Sequence, residues 1–96
     1  MIRWVWNREK ERRNIAKHGI GFEAARRAID DPFAMTAPDP HRDGDRWQVV
    51  GKPAVAGGPI LFVVHTEPMV LNGKHVGRII SARRATPREK VEYEEG

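Results

Sequence analysis

The stretch Arg78-Ile79-Ile80-Ser81-Ala82-Arg83-Arg84-Ala85-Thr86 restricts the fold of this chain more than any other. It reads as a strand that runs out of apolar residues into a cluster of guanidiniums and then opens a helix. Thr86-Pro87-Arg88-Glu89 has capping-box spacing with proline at the first helical position, so a last helix is expected from Pro87 toward Tyr93. A core strand that ends this way can hold an anion, because guanidiniums present planar, bidentate donors to phosphate oxygens. Pairing with Glu89, Glu92 and Glu94 is the competing use of the same charges.

Upstream, Ile2 to Trp6 alternates apolar and polar residues, as a short first strand does. Asn7 is a good N-cap for a charge-rich helix from Arg8 to Lys17 that ends at Gly19. Its apolar face is little more than Ile15 and Ala16, which places it on the surface. Phe22, Ala25 and Ile29 mark one face of a second helix, capped by Gly21 and ended by Asp31-Pro32. Phe33 to Thr36 is a candidate second strand, and residues 37–45 form a turn-rich loop. Three strands follow: Arg46–Lys52, the nearly continuous apolar Ile60–Glu67, and His75–Arg83. Gly57-Gly58-Pro59 turns between the first two, and Pro68 to Lys74, with Asn72-Gly73, joins the second to the third. Helices segregated from a run of hairpins give an α+β fold. Its sheet is mostly antiparallel, with two N-terminal helices packed on one face and a C-terminal helix. Val63 and Ile80 are expected in the core between sheet and early helices. With 96 residues, 40% hydrophobic, residues 1–96 are expected to be one domain with one modest core.

The absence of cysteine excludes disulfides and thiolate metal sites, which fits a cytoplasmic location. The N-terminus has no signal-peptide pattern, and the longest apolar run, Pro59 to Val64, is far too short to span a membrane. A formal net charge of +4 favours a polyanionic partner, either nucleic acid or an acidic protein. Asp39, His41, Asp43, Gly44 and Asp45 imitate the start of a calcium loop. Val50 stands where the bidentate Glu belongs, and no helix pair flanks the segment. No metal or other cofactor is expected.

Trp6-Asn7, Asn14-Ile15, Lys17-His18-Gly19-Ile20, Phe22, Ala25 and Asp31-Pro32 resemble the N-terminal signature of BrnT-type toxins. Arg46, Gly51, Val63-Val64, Thr66-Glu67 and Arg78 through Ala85 resemble the rest, in the same order. The resemblance implies a RelE-like fold and a metal-independent endoribonuclease that inhibits translation. It also implies neutralisation by a BrnA-like ribbon-helix-helix antitoxin, with operator DNA bound only through the complex. Three departures stand out. Asn7 replaces the usual Asp, His65 replaces an aromatic such as Tyr, and the stretch from Pro68 to Gly77 is longer than usual.

Metal-free RNA cleavage activates the 2′-hydroxyl against the adjacent phosphate, so it needs a base, an acid and cations. Arg46, His65, Glu67, Arg78 and Arg83 are the side chains available for this catalysis. Lys17, Trp47, Lys52 and Arg84 are candidates for RNA binding. His65 and Glu67 share a strand face, as do Arg46 and Lys52. Arg78 and Arg83 have opposite parity, so a bulge or the strand end must re-aim one of them if both hold one phosphate. His65 can equally be a hydrogen-bonded sheet histidine, and the tryptophans can equally be core. The rival functions are a non-catalytic nucleic-acid-binding module and a basic domain that docks an acidic protein.

Overall fold

The computed structural model describes residues 1–41, 43–54 and 58–96. Arg42, in the expected loop, and Gly57, in the expected hairpin turn, lie outside the described residues. Among the described residues the fold is α+β, with a mixed six-stranded sheet and three helices. The strands are β1 (Ile2–Val5), β2 (Met35–Pro38), β3 (Arg46–Gly51), β4 (Leu61–Thr66), β5 (Met69–Leu71) and β6 (Lys74–Arg84). The helices are α1 (Arg8–His18), α2 (Phe22–Ile29) and α3 (Pro87–Glu95). The sheet order is β1-β6-β4-β3-β2, with β5 paired to the first part of β6. β1 runs parallel to β6, and the other pairs are antiparallel.

α2 packs on one sheet face, against β3, β4 and β6, while α1 contacts β6. α2 is the core helix: Phe22, Ala25 and Ala28 are buried against Val49, Leu61, Val63, Ile79 and Ala82. Its C-terminal turn comes so close to β3 that a Cβ on Gly51 would lie 2.3 Å from the Ala28 carbonyl oxygen. Only glycine permits that approach. α1 is attached differently, since its buried residue is Asn14. The Asn14 amide donates to the carbonyls of Ile20 (2.9 Å) and Ala82 (2.7 Å), and its Oδ1 accepts from the Ala82 N–H (3.2 Å). The helix ends match expectation. Asn7 Oδ1 accepts from the Lys10 N–H, and Gly19 takes a left-handed φ of 73°.

Three local expectations change. β2 begins at Met35 rather than Phe33, because the Asp31 carboxylate accepts the Phe33 N–H and holds a turn there. The segment read as a connection contains β5, closed onto β6 by Asn72 (φ 51°) and Gly73 (φ 76°). Positive φ at both central residues is the two-residue hairpin turn that matches strand twist. Ile80 is not in the helix-side core. Val64 stands opposite Ser81 and His65 opposite Ile79, so β6 carries one extra residue, Ile80. The bulge sends Ile79 and Ala82 to the helix side and leaves Ile80 half-buried on the other. Val63 is fully buried, as expected.

α3 begins with the full capping box of Thr86 and Glu89 and buries no residue. Polar contacts hold it. Arg83 grips Glu89 through two bonds of 2.9 and 3.1 Å, and the Tyr93 hydroxyl donates to Asp31. Burial pushes the Tyr93 hydroxyl pKa up to about 12, and the Asp31 carboxylate adds to the rise.

Candidate nucleic-acid interface

Cross-strand register sets what the second sheet face presents. Arg46 is opposite Thr66, Gln48 opposite Val64, and Val50 opposite Phe62. On the far side of β4, Ser81 faces Val64 and Arg83 faces Phe62. The Arg78 N–H donates to Thr66 Oγ1 at 3.0 Å. The bulge at Ile80 therefore supplies the re-aiming that strand parity demanded, and Arg46, Arg78 and Arg83 share one face. They do not share one spot. Thr66 and Phe62 are four residues apart on β4, a separation of roughly 13 Å along the strand.

Arg46 and Arg78 line an open groove of about 580 Å³ with Val5, Lys10, Glu67 and Ile80. Arg46 is tied to Asp45 at 2.6 Å. Arg78 is exposed and has no ion-pair partner among the described residues. Arg83 is already engaged, by Glu89 and by the Phe62 ring 4.0 Å below it. The Arg83 hydrogen bond holds the Glu89 carboxyl below the usual carboxylate range, with help from the Thr86 N–H and despite partial burial.

Glu67 follows β4 directly. Its carboxylate accepts from Trp47 Nε1 at 3.0 Å, and its N–H donates to the Asp45 carbonyl at 2.8 Å. It borders both the groove and a cavity on the helix side lined by Trp4, Trp47 and His65. His65 belongs to that other side. It is 6% exposed, opposite Trp47 and Ile79, with its ring edge-on to Trp4 at 4.6 Å. Its Nδ1–H donates to the Thr66 carbonyl at 2.8 Å. Lys52 lies at the far end of β3, its ammonium 5.9 Å from the centre of the Tyr93 ring. Lys17 is exposed in the last turn of α1, and exposed Arg84 pairs in register with core-side Leu61. Of the nine residues singled out in the sequence, the structure thus brings together Arg46 and Arg78 on the groove side and Trp47 and His65 on the helix side, with Glu67 at the edge of both.

Lys10 is the groove residue that sequence reasoning missed. A signal existed: β1 leads through Asn7 straight into α1, so the first turn of α1 must lie near the strand beside β1. That strand is β6, where Val5 is registered with Arg78. In the mimic of a calcium loop, ligand atoms of His41, Asp43 and Asp45 lie within 4.8 Å of one another, but Asp45 is engaged by Arg46.

Burial pushes the His65 pKa below its ordinary value of 6.5, against the opposing pull of the Thr66 carbonyl and Glu67. The unfolded chain then binds the extra proton first. Stability from a neutral His65 is complete above the unfolded value and is lost as pH falls from about 6.5 toward the lowered one. Urea midpoints should decline between about pH 7.5 and 5.5, before the carboxylates titrate. His65→Asn keeps a donor for Thr66 and cannot titrate, so its midpoint should decline less. Parallel declines in the two proteins would assign the effect to other groups.

The fold and the groove define a small α+β protein whose sheet carries clustered cations on one face. Residues 6–89 match the family model described as ribonuclease toxin, BrnT, of type II toxin–antitoxin system, and the chain belongs to that family. Membership implies an RNA target and an antitoxin partner. The matched span contains Lys10, Arg46, Glu67, Arg78 and Arg83. No curated protein matches the chain at a significant level. Among the described residues, no helix is long and apolar enough to cross a membrane.

Proposed function

We propose that this protein is a metal-independent endoribonuclease that cuts RNA in the groove between Arg46 and Arg78 and so inhibits translation. Its neutralising partner is a BrnA-like ribbon-helix-helix antitoxin, and operator DNA is bound only through their complex, within a RelE-like arrangement. The observation that carries the reading is the pair Arg46 and Arg78 beside Glu67, in a chain of a ribonuclease toxin family.

In this reading Glu67 takes the proton from the 2′-hydroxyl. The freed oxygen bonds to the adjacent phosphorus, and the bond from phosphorus to the 5′-oxygen breaks. Lys10 gives that oxygen a proton, leaving a 2′,3′-cyclic phosphate and a 5′-hydroxyl. Arg46 and Arg78 stabilise the extra negative charge on the phosphorane oxygens. His65 positions rather than transfers protons: it fixes the backbone at Thr66, one residue before Glu67. Arg83, closed by Glu89, serves binding.

The test is incubation of pure protein with RNA in EDTA, alongside induction of the chain alone in a bacterium. Cleavage to cyclic-phosphate ends and arrested growth are expected. Soluble, folded protein that leaves RNA intact and growth normal would overturn the reading. Steeply salt-dependent RNA binding would then favour a non-catalytic module.

A further inference from the structure

We propose that the face formed by β1, β5 and the first part of β6 is a single-stranded RNA track leading out of the cleavage groove, with Arg3 and Lys74 as phosphate contacts. The proposal rests on the ribonuclease reading for its direction, because an RNA cut internally must leave the groove on both sides. β4 and β5 are in effect one strand interrupted at Glu67-Pro68. Thr66 sits beside Arg78, while Met69 pairs with Val76, so three steps on one side match two on the other. Pro68 has no N–H for the ladder, which accounts for the break. The extra residue turns Met69 and Leu71 onto the groove side, where both line it.

Register then places the cations. Val5 is beside Arg78, Arg3 beside Val76, and Leu71 beside Lys74. Arg78, Arg3 and Lys74 therefore follow one another along the same face, over roughly 13 Å from Arg78 to Lys74. All three are exposed, and none has an ion-pair partner among the described residues. Arg83, at the other end of β6, and Arg26 and Arg88, on helices, are each closed by a carboxylate. Beside these cations, on β5, lie Met69 (64% exposed), level with Val76, and Leu71 (53%), level with Lys74, an apolar shelf for the faces of unstacked bases. Unpaired cations that follow one another beside exposed apolar surface, continuous with the groove, match a single strand with its charged backbone and apolar base faces.

The test compares wild type with an Arg3→Ala/Lys74→Ala double variant, checked for folding by circular dichroism. The probes are a tetranucleotide and a dodecanucleotide carrying 2′-O-methyl groups, which cannot be cut. The variant should bind the dodecanucleotide roughly tenfold or more weakly, with the slope of log affinity against log salt reduced by about 1.4 for two lost phosphate contacts. Tetranucleotide binding should be unchanged. Equal affinities and slopes for both proteins would overturn the track, as would an equal loss on both probes. Intact dodecanucleotide binding with lost neutralisation by the antitoxin would assign the surface to a protein instead. Because the probes are uncleavable, the outcome does not depend on whether the protein cuts RNA.

Discussion

Arg78→Ala is expected to lower RNA cleavage roughly 10²-fold or more, the scale seen when one preorganised donor to a developing oxyanion is removed. Its fold should be unaffected. The side chain is exposed, and the bond to Thr66 comes from the backbone, which alanine keeps. Arg46→Ala should be at least as damaging, since it also frees the Asp45 carboxylate beside the groove. Lysine should rescue poorly at either position, because an ammonium is a point donor and cannot present two parallel bonds. Arg83→Ala should behave differently. Its guanidinium is committed to Glu89 and Phe62, so the variant should loosen α3, seen as faster hydrogen exchange over residues 87–95, with a smaller effect on cleavage. Single-turnover rates on one RNA separate these outcomes. Wild-type rates from folded Arg46 and Arg78 variants would show that cleavage happens elsewhere.

That contrast between Arg78 and Arg83 marks where the sequence stopped being legible. Parity alone put the two arginines on opposite faces, and a bulge or the strand end had to reunite them. Nothing in Ile79-Ile80 says which isoleucine is the extra residue, because the two side chains are chemically identical. Tertiary packing decides, through burial of Ile79 in the core cluster that holds Phe22 of α2 and Val63 of β4. Capping signals were readable because they are local: Asn7, Gly19 and the Thr86/Glu89 box act over three or four residues. The helix-side placement of His65 and Trp47 needed a tertiary fact, namely which sheet face α2 covers. Glu67 was paired by sequence with His65, on parity. Its position after the strand, before Pro68, lets it border both faces. β5 was hidden because three apolar residues before Asn72-Gly73 suit a connection as well as an edge strand.

Asn14 shows the opposite case, a residue recognised in a motif before its role was visible. Asn14→Ala is expected to destabilise the protein by about 3–5 kcal/mol. The variant leaves two carbonyls and one N–H without their partners at a buried site, each costing about 1–3 kcal/mol if water cannot reach it. That rivals removal of a core aromatic such as Phe22, at about 3–5 kcal/mol, although only a small polar side chain is lost. The reason lies in how α1 is attached. Its neighbour Ile15 is 47% exposed, so the helix has little apolar anchorage, and Asn14 holds it to β6 at Ala82. Ala82 lies two residues beyond the bulge and one before Arg83, so the same amide also pins the register that puts the arginines on one face. A urea midpoint lower by about 1–5 M is expected for Asn14→Ala, given a slope of about 1–3 kcal/mol per M. Ile15→Ala should shift it by less than ~0.5 kcal/mol equivalent. If Asn14→Ala unfolds at the wild-type midpoint, water or a shifted backbone replaces its three bonds, and the anchoring of α1 lies in its apolar contacts after all.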